Sequence, residues 1–240
     1  MRSWPPAAGG GHRRLASGCG LRKDIARFIA GFRRFQEKYF SEDRALFERL
    51  RQGQQPKSLI VACADSRVDP AILMGAEPGE VFVVRNVANL VPPYEPGGSF
   101  ASVPAALEFA VLSLAVEHII VLGHAQCGGI HALMSGAGPG GEFIGKWVGI
   151  AQRAHDRVLT ELPNKPPALQ ARACEQAAIL VSLENLMTYP WIAQRVATGA
   201  MHLHGWYFDL AEGSLWHYDP AHLAFEPIGV DTLGQSASQD

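Results

Sequence analysis

Two short segments carry side chains that bind transition metals. Cys63 begins the segment CADSR at 63–67, and His124 and Cys127 lie three residues apart further along the chain. Thiolate sulfur and imidazole nitrogen are ligands that zinc takes in tetrahedral geometry, and catalytic zinc sites leave the fourth position to water. The residue types therefore predict a zinc site formed by Cys63, His124 and Cys127.

Each of these residues also has a structural interpretation. A cysteine at the end of a buried strand is usually a small core residue. His124 alone fits a turn histidine, and Cys127 alone fits a packing residue at the start of a helix. A structural zinc site would need a fourth Cys or His, and neither Cys174 nor the remaining histidines have suggestive spacing. The coincidence of the three residues favours a site with an open fourth position.

Asp65 and Arg67 lie beside the first candidate ligand. A carboxylate two residues from Cys63 can coordinate zinc or accept a proton from zinc-bound water, but it cannot do both at once. The planar guanidinium of Arg67 can hold Asp65 away from the metal through two parallel hydrogen bonds. The alternative is a surface ion pair, which contributes little to stability.

The candidate ligands follow apolar runs that are typical of buried parallel strands, at 58–63 and 118–123. In open α/β sheets the functional crevice lies outside the carboxyl ends of the strands. Further strands are predicted at 81–86 and 201–210, with an edge strand at 215–218. Helical patterns lie between them, at 21–35, 41–51 with Ser41 as N-cap, 102–116, 130–134, 143–159, 168–186 and 190–198. The alternation predicts an α/β fold, with a mostly parallel central sheet flanked by helices and an N-terminal helical arm.

The composition restricts the class of protein. Of the 240 residues, 48% are hydrophobic and 18% are charged, with a net charge of −2, so no basic face for nucleic acid is expected. No apolar run approaches the ~20 residues of a membrane span. Four cysteines are too few for a disulfide scaffold and favour a cytoplasmic protein.

The chain is expected to form one α/β domain over residues 21–230. Residues 1–20 and 231–240 are predicted to be disordered extensions, because they lack apolar periodicity. Arginines without acidic residues at the start leave an organelle transit peptide as an alternative for the first segment.

Together, these motifs resemble the β-class carbonic anhydrases over about residues 28–228. The resemblance is carried by CADSR at 63–67, PGE at 78–80, VRNVAN at 84–89 and GHAQCGG at 123–129. It implies a zinc enzyme that interconverts carbon dioxide and bicarbonate, and a homodimer or homotetramer with sites near the dimer interface. It also implies one Zn²⁺ per chain on Cys63, His124 and Cys127. Asp65 is then the fourth ligand in a closed state, or the acceptor for zinc hydroxide in an open state.

The segments VPPY at 91–94 and ENLMTYP at 184–190 resemble the plant-type branch of that class. Ile60 stands where the allosteric bacterial members carry a tryptophan, and Phe109 stands where plant-type members keep a tyrosine. Because Phe109 lacks the hydroxyl, it cannot donate a hydrogen bond to Gln54.

The resemblance assigns the substrate contacts to Gln54, Phe82 and the backbone amide of Gly128. Carbon dioxide would lie against Phe82, and the two polar groups would orient its oxygens. The Gly128-Gly129 pair equally fits a plain tight turn.

The sequence predicts zinc-dependent, reversible hydration of carbon dioxide to bicarbonate and a proton, with Asp65 and Arg67 as catalytic residues. Two alternatives stay open. One is a carbonyl sulfide or carbon disulfide hydrolase on the same scaffold, because these linear molecules are open to the same nucleophilic attack. The other is a non-catalytic zinc protein that binds bicarbonate.

Overall fold

The computed structural model describes residues 23–42, 44–98, 102–136 and 142–229. The segments predicted to be disordered, 1–20 and 231–240, lie outside the described residues. The chain divides between Gly53 and Gln54 into two compact units, which we describe separately. All six strands of the described chain belong to the second unit.

The first unit is helical, as the sequence predicts. It consists of α1 (Lys23–Gln36), a π-helical turn (Glu37–Glu42) and α2 (Arg44–Leu50). The expected N-cap at Ser41 is wrong, because Ser41 lies inside the π-helical turn. The rings of Phe35 and Phe40 both contact Phe47, and these contacts keep the chain helically wound where a break was expected.

The second unit is built on a six-stranded sheet in the order β2-β1-β3-β4-β5-β6. The first four strands in this order are parallel, and the last two join as antiparallel strands. The strands are β1 (Ser58–Cys63), β2 (Val81–Asn86), β3 (His118–His124), β4 (His202–Asp209), β5 (Ser214–Asp219) and β6 (Ala224–Pro227). The predicted α/β class with a mostly parallel sheet is confirmed, and β6 is an additional edge strand.

The connections between the parallel strands contain helices. They are α3 (Pro70–Met74), α4 (Ser102–Glu108), α5 (Gly128–Met134), α6 (Ile144–Val148), α7 (Gln152–Glu161), α8 (Pro167–Leu186) and α9 (Pro190–Ala197). A π-helical turn (Phe109–Ser113) continues α4, and a 3₁₀ turn (Gly149–Ala151) divides the single helix predicted at 143–159. Within the described residues, no helix combines the length and apolar character that crossing a membrane requires.

The core lies on both faces of the parallel strands, which explains their continuous apolar sequences. On one face Leu59, Val61 and Ile119 pack in a cluster that includes Ile179 of α8. Gly123 permits this close packing, because a Cβ at this position would lie 2.7 Å from the Ile179 side chain. The packing fixes α8 against β3, and β3 delivers His124 to the carboxyl edge of the sheet.

Candidate active site

The three predicted metal ligands meet at the carboxyl ends of neighbouring strands. Cys63 ends β1, His124 ends β3 and Cys127 is the N-cap of α5. Their side-chain donor atoms all lie within 4.8 Å of one another. The Sγ atoms of Cys63 and Cys127 are 4.0 Å apart, close to the ~3.8 Å that two thiolates span on a tetrahedral zinc with 2.3 Å bonds.

The orientation of His124 suits a metal. Its Nδ1 donates a hydrogen bond to the carbonyl of Ala125 at 2.8 Å, so Nε2 keeps its lone pair. Nε2 is buried and has no hydrogen-bond partner among the described residues. A buried polar atom without a partner is costly, and a metal ion at this point would satisfy it. The donor set therefore fits zinc.

The sulfur atoms of Cys63 and Cys127 are within hydrogen-bond contact of each other. The hydrogen bond from Cys127 lowers the pKa of the Cys63 thiol to about 4. The same contact, together with burial, raises the pKa of Cys127. A divalent cation binds thiolates and displaces their protons. Metal binding would therefore leave both cysteines as thiolates.

Asp65 and Arg67 form a two-point ion pair beside this cluster. Arg67 donates from Nε to Asp65 Oδ1 at 2.9 Å and from Nη2 to Oδ2 at 2.7 Å. The backbone amide of Arg67 also donates to Oδ1 at 3.0 Å. The side-chain hydrogen bond from Arg67 holds the pKa of Asp65 well below its usual range. Asp65 Oδ2 lies 4.0 Å from His124 Nε2, so the carboxylate borders the metal position.

Arg85 fixes the loop that carries Asp65. It donates to the carbonyl of Cys63 at 3.0 Å, to the carbonyl of Asp65 at 2.7 Å and to the carboxylate of Asp69 at 2.9 Å. Arg85 therefore holds the backbone between Cys63 and Asp65 in place.

Sequence reasoning missed a buried carboxylate behind the site. Glu175 of α8 is 6% exposed. It accepts a hydrogen bond from the Cys127 amide at 3.0 Å and another from the Tyr207 hydroxyl at 2.8 Å, and burial raises its pKa. The one available signal was a glutamate inside a largely apolar helix.

The two glycines after Cys127 have different environments. Gly129 is buried, and a Cβ there would lie 2.6 Å from Val87 Cγ1. Gly128 is exposed, and a Cβ there would meet no atom within 4 Å. Gly129 therefore allows close packing against Val87, whereas Gly128 borders open space next to the ligand Cys127.

Comparison with known proteins agrees with this geometry. The family model described as carbonic anhydrase matches residues 58–215. The chain is 43% identical over 188 residues to beta carbonic anhydrase 5, chloroplastic, of Arabidopsis thaliana, a match that covers 78% of this chain and 60% of that protein. It is 37% identical over 201 residues to beta carbonic anhydrase 3 of the same plant, covering 81% and 78% of the two chains.

The chain belongs to the β-class carbonic anhydrases. The solved structure of the β-carbonic anhydrase CcaA superposes with a TM-score of 0.80 at 34% identity, covering 85% of this chain and all of that chain. One of two tetrameric β-carbonic anhydrases from Sordaria macrospora superposes with a TM-score of 0.67 at 29% identity, covering 81% and 93%. The predicted resemblance is confirmed, and the two plant relatives agree with its plant-type character.

The fold of this β-class chain does not bring all the predicted site residues together. Phe82 is paired with Leu59, four residues before Cys63, which is about 13 Å along a strand. Its ring contacts Phe109, with ring centroids 6.0 Å apart. Gln54 lines a cavity of about 750 Å³ with residues that precede or begin strands, including Lys57, Glu117, His118 and His202. Gln54 and Phe82 therefore lie far from the metal cluster of their own chain.

Proposed function

We propose that this protein is a zinc-dependent carbonate dehydratase, which converts carbon dioxide and water to bicarbonate and a proton, reversibly. One observation carries the proposal. The buried cluster of Cys63, His124 and Cys127 leaves His124 Nε2 without a hydrogen-bond partner among the described residues, directly beside a carboxylate that Arg67 holds in place. Membership of the β-class family supports the same reaction.

Cys63, His124 and Cys127 would hold one Zn²⁺ per chain. When bound, the ion supplies the Lewis acidity that makes water a nucleophile at neutral pH. The protein shields the three ligands from water, because Cys63, His124 and Cys127 are 5%, 1% and 2% exposed, respectively. It also contributes the orientation of His124 through Ala125.

Asp65 Oδ2 would accept a hydrogen bond from the reacting water and so hold it in position. Its pKa is held well below the usual range by the hydrogen bond from Arg67, so the group is ionised at neutral pH. Both of its oxygens accept from Arg67, which keeps the carboxylate turned from the metal position. A group with this geometry can orient the nucleophile without replacing it.

In this proposal, the groups that contact the substrate come from two copies of the chain. The Gly128 backbone follows the ligand Cys127 and can orient a substrate oxygen from the same chain. Gln54 and Phe82 lie about a strand length away, so they would reach the metal only from a second copy. We therefore propose a homo-oligomer, as the resemblance implied. The tetrameric Sordaria relatives support this assembly.

Stopped-flow measurement of carbon dioxide hydration by protein of known zinc content tests the proposal. We expect turnover that depends on zinc. Release of hydrogen sulfide from carbonyl sulfide or carbon disulfide, without carbon dioxide turnover, would instead identify a hydrolase of those compounds. Bicarbonate binding without any turnover would identify a non-catalytic protein.

A further inference from the structure

The buried carboxylate of Glu175 holds the loop that joins two of the metal ligands. The loop runs from His124 to Cys127, and Glu175 Oε1 accepts from the Cys127 amide at 3.0 Å. The second oxygen of the carboxylate accepts from the Tyr207 hydroxyl at 2.8 Å. Both oxygens are therefore engaged, and one of them faces the ligand loop.

The loop has an unusual backbone at Gln126. Its φ is 57°, in the left-handed region that residues other than glycine rarely adopt. In this conformation the Gln126 carbonyl accepts from Arg67 Nη2 at 3.1 Å. The same Nη2 atom donates to Asp65 Oδ2 at 2.7 Å. The Gln126 carbonyl is thus a second anchor for the guanidinium that holds Asp65.

A carboxylate at this depth is not explained by packing alone. Burying an ionised group is unfavourable unless it is paired. Among the described residues no cation forms an ion pair with Glu175, and Arg172 of the same helix pairs with Asp209 instead. A carboxylate accepts at both oxygens, whereas a glutamine could keep the Cys127 amide as a donor only if the Tyr207 hydroxyl turned to accept from its NH₂ group. The residue type therefore suits a group that must accept from the loop and from Tyr207 together.

We propose that Glu175 is a positioning residue for the Asp65–Arg67 pair and acts through the Gln126 carbonyl. It holds the loop backbone so that this carbonyl meets Arg67. Arg67 in turn stays on Asp65, and Asp65 stays off the metal position. The effect on turnover rests on the proposed function, whereas the effect on metal coordination does not.

A purely structural role for Glu175 makes different predictions. If Glu175 only fills space under the loop, its loss lowers stability, and its effect adds to that of an Arg67 substitution. If it acts through Arg67, removing Arg67 first leaves Glu175 with nothing to position. The two effects are then strongly non-additive.

The test is a double-mutant cycle of Glu175→Gln and Arg67→Ala in protein loaded with Co²⁺, whose visible spectrum reports its ligands. We expect each single variant to bind one Co²⁺ and to shift the spectrum in the same direction, in part in Glu175→Gln and fully in Arg67→Ala, because Asp65 then reaches the metal. The double variant should match Arg67→Ala. In zinc protein we expect Glu175→Gln to lower turnover on the order of 10-fold, a part of the ~10²–10⁴ that a proton-transfer group supplies.

Two further variants keep the test decisive. Glu175→Asp keeps a buried carboxylate but shortens its reach to the loop, and it should give the same spectral change even if Glu175→Gln does not fold. Tyr207→Phe removes the other hydrogen bond of the carboxylate and should leave the spectrum near that of the wild type.

A wild-type Co²⁺ spectrum in a folded Glu175 variant, or additive effects in the cycle, would overturn the inference. Absence of carbon dioxide hydration by the wild-type zinc protein would overturn the proposed function instead. In that case the Co²⁺ spectra would still decide whether Glu175 positions the pair.

Discussion

The role of Asp65 depends on a single neighbouring side chain. Arg67 contacts both oxygens of the carboxylate, and Asp65 Oδ2 is only 4.0 Å from His124 Nε2. A free carboxylate at this distance would be drawn to a bound cation. The two-point contact with Arg67 therefore decides whether Asp65 acts as a hydrogen-bond acceptor for the reacting water or as a fourth ligand.

We expect Arg67→Ala to keep its zinc and its fold and to lose turnover by about 10²–10⁴, the contribution of a proton-transfer group. Arg67→Lys should restore little, because an ammonium group cannot reproduce the two parallel hydrogen bonds of a guanidinium. Zinc analysis and stopped-flow hydration on the same samples provide the measurement. Near-normal turnover of fully zinc-loaded Arg67→Ala would show that the ion pair is only structural.

At the scale of elements, the seating of α8 against β3 determines where both His124 and Glu175 lie. Gly123, one residue before His124, accommodates Ile179 of α8, since a Cβ would come within 2.7 Å of that side chain. Ile179 belongs to the buried cluster that also contains Leu59, Val61 and Ile119. Substitutions at this contact should therefore lower the stability of the whole second unit.

We expect Gly123→Ala to destabilise the protein by about 1–3 kcal/mol, the usual cost of overpacking a core. The matched control is Gly145→Ala in α6, where an added Cβ meets no atom within 4 Å, and where alanine favours the helix. Urea unfolding of the two variants makes the comparison. Equal stability of both would contradict the packing argument.

The end of β4 carries a carboxylate whose ionisation stabilises a turn. Asp209 accepts from the amides of Ala211 and Glu212 at 2.9 and 3.3 Å and from Arg172 at 2.8 Å. The hydrogen bond from the Ala211 amide is the main cause that lowers the pKa of Asp209. A carboxyl with a depressed folded-state pKa stabilises the protein above its unfolded pKa of ~3.9, and this stability is lost as the pH falls through the folded-state value.

We accordingly expect Asp209→Asn to cost about 1.5–3 kcal/mol at pH 7, the value of hydrogen bonds to a charged group. The difference from the wild type should shrink as the pH falls below about 4. Unfolding free energies measured across this range provide the test. A difference that is constant with pH would mean that the charge of Asp209 is not what matters.

The sequence predicted those elements whose residues carry a clear apolar pattern. The strand predicted at 58–63 is β1, because a strand buried on both faces has a continuous apolar sequence. The short helix α3 was missed, although Asp69 caps it and Gly75 ends it, since five residues carry too little periodicity. The metal cluster could be predicted because Cys63 and His124 lie at the ends of predicted strands and Cys127 follows His124 by three residues. Glu175 was not, because it meets Cys127 across 48 positions of sequence.

At the scale of the whole molecule, one chain lacks part of its expected substrate site. Gln54 and Phe82 lie toward the amino ends of the strands, and the metal ligands lie at the carboxyl ends. The exposed apolar residues of the first unit, including Ile25, Phe28 and Phe32, are a further surface that a partner could cover.

We expect Gln54→Ala and Cys63→Ser to be poorly active alone and to regain turnover when the two chains are co-assembled. Mixed oligomers pair an intact metal site with an intact Gln54 from the other chain. Stopped-flow assays of co-expressed, doubly tagged oligomers make the measurement. No gain over the separate variants, or a fully active monomer, would show that the substrate site is complete within one chain.

Carbon dioxide hydration should depend on a metal held by Cys63, His124 and Cys127. The most direct test is stopped-flow hydration as a function of zinc content, in wild-type protein that is progressively stripped of zinc and reloaded. The same measurement is made on Cys127→Ser and on the matched control Cys174→Ser, which changes a buried cysteine of α8 outside the metal cluster. We expect one zinc per chain and turnover proportional to zinc in the wild type and in Cys174→Ser. We also expect loss of both in Cys127→Ser. Full zinc in Cys127→Ser, or hydration that does not depend on zinc, would contradict this expectation.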